Sequence, residues 1–389
     1  MKSKRFVLRA VAGLFSVMLA GMTLTGCSDK TDISGVQKSD DKYILTISEP
    51  GHNMGYLPLY IAQNEGYFAE EKLEVTYLTG GGGAHVTAVI SGDSYAVVGS
   101  VDSNEAAASG SDIQFVTISN MVTKANVQLS ASTAVPNYEG STEISPDNKE
   151  LINYLLTCNG SEPATIAAGR YGGTPNVMVR YLLAKLGFTP AVGDTSTYNY
   201  DSNGVSGTIH ILDTADSAAL SSAMTTGSCQ LGVPSDPSLT EGVEAGWWYE
   251  PFLDFCDMGD FAYSVISTTE KNLSTDEGKE IAQGFCNAMV KTLAKVDLAA
   301  DEYLSGTTGE NYEWLLSCAK AEFGSSYSDE LLDKMLKRSL ASGLWSANGF
   351  VTQEALDLDM GVMKECGIYD GAYSYDKSVN MSFINEANK

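Results

Sequence analysis

The sequence has few of the residues that metal, redox and nucleic-acid sites need. It holds three histidines, and none of its seven cysteines forms a C-x-x-C pair. Zinc and thioredoxin chemistry therefore have no support, and we expect neither a metal nor a cofactor. Lysine and arginine total 24 against 49 acidic residues, which gives a formal net charge of −25. Because nucleic acid is polyanionic and binds to positively charged surfaces, we do not expect it as a partner.

The spacing of the cysteines does not show whether the six after Cys27 are free thiols or form disulfides. An oxidising compartment permits disulfides among the cysteines after Cys27, but their pairing cannot be inferred from spacing. Buried thiols are the simpler interpretation, and we favour it. The hydrophobic content of 43% and the charged content of 19% indicate a folded globular chain.

The N-terminus has the features of an export signal. A basic start precedes an apolar run over residues 10–22, which is too short to span a bilayer permanently. The run ends in Leu24-Thr25-Gly26-Cys27, which resembles the lipobox of bacterial lipoproteins. We expect a signal peptide over 1–26 and, on that resemblance, a lipidated Cys27; an ordinary signal peptide with a chance cysteine is the alternative. The polar, aperiodic stretch over 27–42 predicts a flexible tether.

From Tyr43 onward, short strand patterns alternate with helical patterns. This order indicates βαβ units and a parallel sheet. The acidic, turn-rich stretch PNYEGSTEISPDNKE separates a first α/β unit from a second. Within the second unit, GDTSTYNYDSNGVSG is rich in turn residues and predicts a loop, and the chain beyond Phe261 is mostly helical after one strand.

Glycines and small polar residues gather where predicted strands give way to helices. The stretches are PGHNMGY at 50–56, LTGGGGAHVT at 78–87 and GRYGGTPNV at 169–177. In open α/β sheets, ligands bind beyond the carboxyl ends of strands, where helix N-termini offer free amides. None of the three stretches carries a nucleotide-binding fingerprint. They predict a binding crevice for another small molecule.

The segment PLYIAQNEGYFAEEKLEVTYL resembles a signature of one family of periplasmic binding proteins. AVISGDSYAVVGSVDS, GGTPNVMVRYLLAKLGFTP and SAMTTGSCQLGVPSDP are similar to later blocks of that family, so the resemblance covers roughly residues 43–300. The family comprises solute-binding proteins for nitrate, sulfonates and taurine, and binders of thiamine pyrimidine precursors. It implies an α/β, two-lobed type II periplasmic-binding-protein fold with a hinge and a helical C-terminal region. Lobe one would comprise 43–130 and, with the helical tail, 241–389; lobe two would comprise 131–240, with crossings near 125–135 and 232–260.

The resemblance also implies which residues face the ligand. In lobe one they are His52, Asn53, Met54, Tyr56, Gly82, Ala84, Ser100 and Asp102. In lobe two they are Arg170, Tyr171, Gly173, Thr174, Asn176 and Asp236. Each could instead be a capping or solvated residue.

Two adjacent tryptophans, Trp247 and Trp248, allow two interpretations. They could form an interlobe packing plug or, as a ligand-binding surface, a stacking platform for a flat ring. Together with Tyr56 and Tyr171, the second interpretation favours a heterocyclic ligand.

These features predict a lipid-anchored solute-binding protein on the extracytoplasmic face of a bacterial membrane. It would act as a monomer and deliver a small molecule, such as a pyrimidine or vitamin precursor, to an ABC transporter permease with its ATPase. One alternative is a binder of nitrate, sulfonate or taurine-type anions; another is a binding module that reports to a receptor. We do not expect an enzyme, because the cysteine-rich motif of the related synthases and a Ser-His-Asp arrangement are both missing from the sequence.

The predicted lipobox can be tested in cells. We expect Cys27→Ser to stop incorporation of a tagged fatty acid and to release the protein from the membrane, because the acyl chains are its anchor. A Cys318→Ser variant should keep both the label and the membrane association. Continued labelling and membrane retention of Cys27→Ser would show that the lipobox assignment is wrong.

Overall fold

Two seven-stranded sheets organise the part of the chain that the computed structural model describes, residues 29–389 without positions 40, 82, 203, 370 and 372. The predicted signal peptide and Cys27 lie outside the described residues. The strands are β1 (Asp29–Lys30), β2 (Val36–Ser39), β3 (Lys42–Glu49), β4 (Leu73–Thr79), β5 (Ala96–Gly99), β6 (Phe115–Val122), β7 (Gln128–Ala131), β8 (Thr165–Ala168), β9 (Thr189–Ala191), β10 (Asp194–Ser202), β11 (Val205–Asp213), β12 (Leu231–Gly232), β13 (Leu253–Asp254) and β14 (Ser264–Thr269).

The helices cover the sheets and form most of the C-terminal region. They are α1 (Leu57–Asn64), α2 (Tyr67–Glu70), α3 (Ala84–Ser91), α4 (Val101–Ala108), α5 (Lys149–Thr157), α6 (Thr174–Lys185), α7 (Ser217–Thr225), α8 (Ser238–Glu244), α9 (Asp276–Leu304), α10 (Glu310–Phe323), α11 (Asp329–Ala341), α12 (Gln353–Glu365), α13 (Tyr375–Ser378) and α14 (Ser382–Ala387). None of the described helices is long and apolar enough to cross a membrane.

Sheet one has the strand order β1-β2-β3-β5-β14-β6, with β4 also paired to β3. β3 is parallel to β4 and β5, whereas β14 is antiparallel to both of its neighbours. Apolar residues of β3, such as Leu45 and Ile47, are fully buried, and Phe285 of the long helix α9 belongs to the same core. The parallel βαβ units predicted from the sequence are therefore present, but a late antiparallel strand makes the sheet mixed.

Sheet two has the order β13-β7-β12-β8-β11-β10-β9. β8 is parallel to β11 and β12, and the remaining pairs are antiparallel. The stretch predicted as a loop at 193–207 instead contains β10, which forms a hairpin with β11. Its polar residues alternate with Tyr198 and Tyr200, which are buried in the core of lobe two, so the segment is a strand with one buried face.

The chain crosses between the sheets twice, at 123–127 and at 255–263. The first crossing begins just before the predicted interval. The second overlaps the end of the predicted interval 232–260. It comes later than the predicted end of lobe two at residue 240, because β13 pairs with β7 and keeps the chain in sheet two through Asp254. Each lobe has its own core, as expected for two halves joined by a hinge.

The described part of the predicted tether is paired with sheet one. β1 pairs with β2, and β2 pairs with β3 in antiparallel register. Ile33 and Val36 are buried in the core of lobe one. Burial of these two side chains explains why the polar composition of 29–39 does not produce the flexible segment that we predicted.

The helical tail contacts both lobes. Leu332 and Leu336 of α11 belong to the core of lobe one, whereas Val362 and Met363 of α12 belong to the core of lobe two. Lys334 of α11 forms an ion pair of 2.7 Å with Glu244 in lobe two. The tail therefore joins the lobes on a route separate from the two crossings.

Tight packing around Trp248 predicts a large effect of a small substitution. A Cβ added at Gly242 would lie 2.3 Å from the Trp248 ring, whereas one added at Gly361 in α12 would meet no atom within 4 Å. We expect Gly242→Ala to lower the free energy of unfolding by about 2 kcal/mol through overpacking. Gly361→Ala should raise it by about 1 kcal/mol, because alanine favours a helix interior. Chemical denaturation measures both values, and equal stability of the two variants would contradict the packing of Trp248.

Candidate functional site

A cleft of about 510 Å³ lies between the two lobes. Lobe one lines it with the loops that follow β3, β4 and β5, and lobe two with the loops that follow β8, β11 and β12. These loops leave the carboxyl ends of the strands, which is where open α/β sheets bind ligands. The volume is in the range of small-molecule sites, about 300–1,000 Å³.

Eight of the residues singled out in the sequence line this cleft. They come from four separate strand-end segments of the two lobes: His52, Asn53, Tyr56, Ser100, Arg170, Gly173, Thr174 and Asp236. The structure therefore brings together side chains that are far apart in the chain.

His52 is held between two carboxylates. Its Nδ1 lies 3.3 Å from Glu49 and its Nε2 lies 3.0 Å from Glu322 of α10. The ring also stacks on Tyr60, with centroids 4.1 Å apart. Hydrogen bonds to Glu322 and then to Glu49 raise the pKa of His52 to about 9, so the ring is an imidazolium at neutral pH.

The carboxylate of Glu49 is fully buried beneath His52. It accepts hydrogen bonds from the Tyr60 hydroxyl at 2.6 Å and the Thr79 hydroxyl at 2.9 Å. A buried carboxylate needs such partners, because an uncompensated charge is costly away from water. Glu49 thus fixes the loop that follows β3 to the sheet, and Glu322 fixes it to the tail.

His85, a second histidine at the cleft, has the opposite charge state. Its Nδ1–H donates to the carbonyl of Gly80 at 3.0 Å, and burial lowers its pKa to about 4. The ring is therefore neutral at physiological pH, and its Nε2 is a hydrogen-bond acceptor.

The two lobes contact each other across the cleft. The Ser100 and Thr174 hydroxyls share a hydrogen bond of 2.7 Å at the N-termini of α4 and α6. Arg170 of lobe two donates to the Ser103 hydroxyl of lobe one at 2.8 Å, and its guanidinium lies close to Gly83. These contacts describe lobes that are closed on each other at this edge.

Arg180 and Asn176 fix the lobe-two loops from behind. Asn176 donates to the carbonyl of Gly169 at 3.0 Å and to the carboxylate of Asp213 at 2.7 Å. Arg180 is buried and donates to Asn176 at 2.5 Å. The network links the ends of β8 and β11, so it holds two cleft loops at a set spacing.

Asp236 lies where the chain leaves β12, and its side chain is 10% exposed. Its Oδ1 accepts from the backbone N–H and the hydroxyl of Thr240, at 3.0 Å and 2.6 Å. Burial raises the pKa of Asp236, while Thr240 and Arg338 act in the opposite direction.

Six other residues singled out in the sequence do not line the cleft. Met54 and Trp248 are packed in the cores, Asn176 is buried behind the loops, and Tyr171 packs on the guanidinium of Arg180. Trp247 is 49% exposed, and Ala84 lies in an open groove beside the cleft with Gly83 and Arg170. Gly82 and the side chain of Asp102 lie outside the described residues. Burial of Trp248 against Gly242 is the physical reason that it cannot serve as a stacking surface here.

Several residues that line the cleft were not predicted from the sequence. They are His85, Asn126, Thr214, Asp216, Ser235, Tyr263 and Tyr327. The Thr214–Asp216 loop lies between β11 and α7, a strand-to-helix junction like the three stretches singled out in the sequence, so its position alone was a usable signal. Tyr327 and Tyr263 carry no local signal, because tertiary packing alone brings them to the cleft.

Comparison with known proteins identifies the architecture. Residues 53–134 match the model of the NMT1/THI5-like family, which confirms the resemblance over that segment. A nitrate-binding protein of Synechocystis superposes with a TM-score of 0.59 at 14% identity, covering 88% of both chains. The ligand-binding component of an ABC-type import system of Staphylococcus aureus gives 0.60 at 13% identity, covering 88% of this chain and 98% of that one.

An alkanesulfonate-binding protein of Xanthomonas axonopodis, solved with MOPS, superposes with a TM-score of 0.58 at 9% identity. The match covers 87% of this chain and 98% of that one. The chain has the type II periplasmic-binding-protein fold. At these identities the superpositions establish the fold alone. None of the curated protein sequences compared with this chain matches it.

The pairing of His52 predicts a pH-dependent contribution to stability. The pKa of His52 is raised to about 9, so its stabilisation is fully present below pH 6.5 and is lost as the pH rises through 9. The free energy of unfolding of the wild type should exceed that of His52→Gln by about 1 kcal/mol at pH 6, because solvent screens the partly exposed His52 ring. The difference should shrink above pH 9. A pH-independent difference between the wild type and His52→Gln would contradict the pairing.

Proposed function

We propose that this chain is the solute-binding component of an ABC importer, held on the extracytoplasmic face of the membrane by a lipid on Cys27. The observation that carries the proposal is the interlobe cleft, lined by strand-end loops of both lobes. A ligand that contacts both walls favours closure of the hinge, and a permease can then distinguish the closed form from the open one. The related ABC import component has the same fold over nearly its whole length.

We further propose that the solute is a small organic molecule with a flat ring. Three tyrosines, Tyr56, Tyr263 and Tyr327, line the cleft and offer apolar faces beside polar groups. They take the role that we first gave to Tyr171 and the two tryptophans. Stacking on an aromatic ring contributes on the order of 1–3 kcal/mol, by analogy with nucleic-acid bases.

The eight predicted residues that line the cleft are the proposed ligand-binding set. His52 and Arg170 supply positive charge, whereas Asn53, Ser100 and Thr174 supply polar groups. Gly173 allows close approach of backbone at the start of α6. We do not retain the predicted residues that lie in the cores or on the outer surface.

A simple anion is the second candidate solute, and one observation favours it. The N-termini of α4 and α6 meet at Ser100 and Thr174, and among the described residues neither N-cap residue, Ser100 or Gly173, makes a side-chain capping hydrogen bond. Helix N-termini bind anions through their free amides and their dipoles. The relatives solved as nitrate- and alkanesulfonate-binding proteins agree with this candidate.

Transport and sensing both require a bound solute, whereas an enzyme requires reacting groups. The relatives are named as binding proteins, and His52 and Arg170 are engaged in the ion pairs and hydrogen bonds described above. We therefore propose binding without catalysis. Deletion of the chain distinguishes an importer component from a sensor: cells should lose uptake of the solute if the chain serves an importer.

A thermal-shift screen with small-angle scattering tests the proposed function. Thiamine, cytosine, flavins, nitrate, taurine and alkylsulfonates serve as probes. A solute at a hundred times its dissociation constant should stabilise the protein by about 2.7 kcal/mol and reduce its radius of gyration. Tyr56→Ala should weaken binding of a ring compound by about tenfold to a hundredfold. If nitrate and aliphatic sulfonates alone shift the melting temperature, the ring proposal is wrong and the anion takes its place.

A further inference from the structure

The charges that line the cleft do not favour a bare anion. Both positive side chains already have partners: His52 is held by Glu49 and Glu322, and Arg170 donates to Ser103. The wall of lobe two adds two further carboxylates, Asp216 and Asp236.

Asp216 and Asp236 differ in burial. Asp216 is exposed and caps α7, since its Oδ1 accepts from the backbone N–H of Ala219 at 2.8 Å. Asp236 is largely buried, and hydrogen bonds from the described residues reach only its Oδ1. The second oxygen, Oδ2, therefore retains accepting capacity within a largely buried carboxylate that lines the cleft.

Arg338 forms an ion pair with Asp236 but does not donate a hydrogen bond to its Oδ2. Its Nε lies 3.6 Å from Oδ2, which is an ion pair but not a hydrogen bond. The two terminal nitrogens of Arg338 donate instead to Glu250, at 2.9 Å and 3.4 Å. One cation thus faces two carboxylates, and the net charge of this group is negative.

His85 supplies a second acceptor at the same cleft. Because its Nδ1–H is used by the Gly80 carbonyl, the neutral ring can only accept through Nε2. The cleft therefore offers acceptors from both lobes, Asp236 and His85, that need a hydrogen-bond donor.

We propose that Asp236 accepts a hydrogen bond from an N–H group of the solute, so that the substrate class is amine-bearing small organic molecules. This inference rests on the proposed function and narrows it. The shared chemistry is an N–H donor, supplied either by a protonated amine or by the exocyclic amino group of a heterocycle. A ring with an amino group would contact the tyrosines and Asp236 in the same cleft.

Matched pairs of probes test the inference on the purified protein. Each pair replaces an amino group by an oxygen: taurine with isethionate, cytosine with uracil, and thiamine with oxythiamine. The first pair reports on a protonated amine and the other two on an amino heterocycle. Calorimetry gives the dissociation constants for the wild type, Asp236→Asn and Glu250→Gln.

Asp236→Asn is suited to this test because asparagine keeps a side-chain oxygen that can accept the hydrogen bonds from Thr240 in α8. It replaces the second carboxylate oxygen, Oδ2, by an NH2 group, which is a hydrogen-bond donor. Glu250→Gln is the matched control, since it alters the other partner of Arg338 at an exposed residue that does not line the cleft. Circular dichroism and the melting temperature without probe show whether both variants fold.

We expect the wild type and Glu250→Gln to bind the amino member of at least one pair about tenfold or more tightly than its oxygen counterpart. Asp236→Asn should lose this preference. Equal binding of both members, binding of the oxygen members or nitrate alone, or a preference that survives in Asp236→Asn would each overturn the inference while leaving the proposed function intact. Absence of binding by every probe, together with no co-purifying small molecule, would count against both.

Discussion

The double crossing of the chain between the two sheets is the constraint on which the rest of the structure depends. Because both crossings join the same two sheets, at 123–127 and 255–263, the carboxyl ends of β3 and β5 are turned toward those of β8, β11 and β12. Each of these strands delivers a loop to one cleft. A single crossing would leave the lobes free to rotate, whereas two adjacent segments restrict their motion to a hinge. The topology of the chain therefore determines where the cleft lies, and the side chains of the loops determine its chemistry.

Buried charged groups then set the shape of the cleft loops. Glu49 and His52 hold the first loop of lobe one, and Arg180 with Asn176 holds two loops of lobe two. Such groups contribute little net stability, because desolvation offsets most of their attraction. Their effect is on geometry: a buried carboxylate or guanidinium must keep its partners, so the loop that carries it has few alternative positions. Both networks lie directly behind residues that line the cleft.

The sequence predicted what depends on local pattern and failed where distant segments decide. The strand-to-helix junctions near His52, Arg170 and Gly173 were recognisable because glycine, a cap and a helix follow a strand in order. The sequence left Trp248 open between a packing role and a ligand-stacking role, and its burial against Gly242 of α8 excludes the second in this structure. Residues 29–39 were predicted to be a tether from their polar composition. They form strands because they pair with β3, and composition alone does not indicate that pairing. Tyr263 and Tyr327 reach the cleft from segments whose composition gives no indication of a ligand.

The helical tail belongs to the site and is more than a cover for lobe one. Glu322 holds His52, Tyr327 lines the cleft, and Arg338 faces Asp236, so three tail residues act on the two walls. The same helix α11 packs its apolar face in the core of lobe one and places its cations against lobe two. The proposed opening of the lobes would therefore separate these ion pairs, which are partly exposed and individually weak. In the proposed function, weak contacts of this kind would keep the closed and open forms close in free energy, so that the binding of a small solute could shift the equilibrium between them.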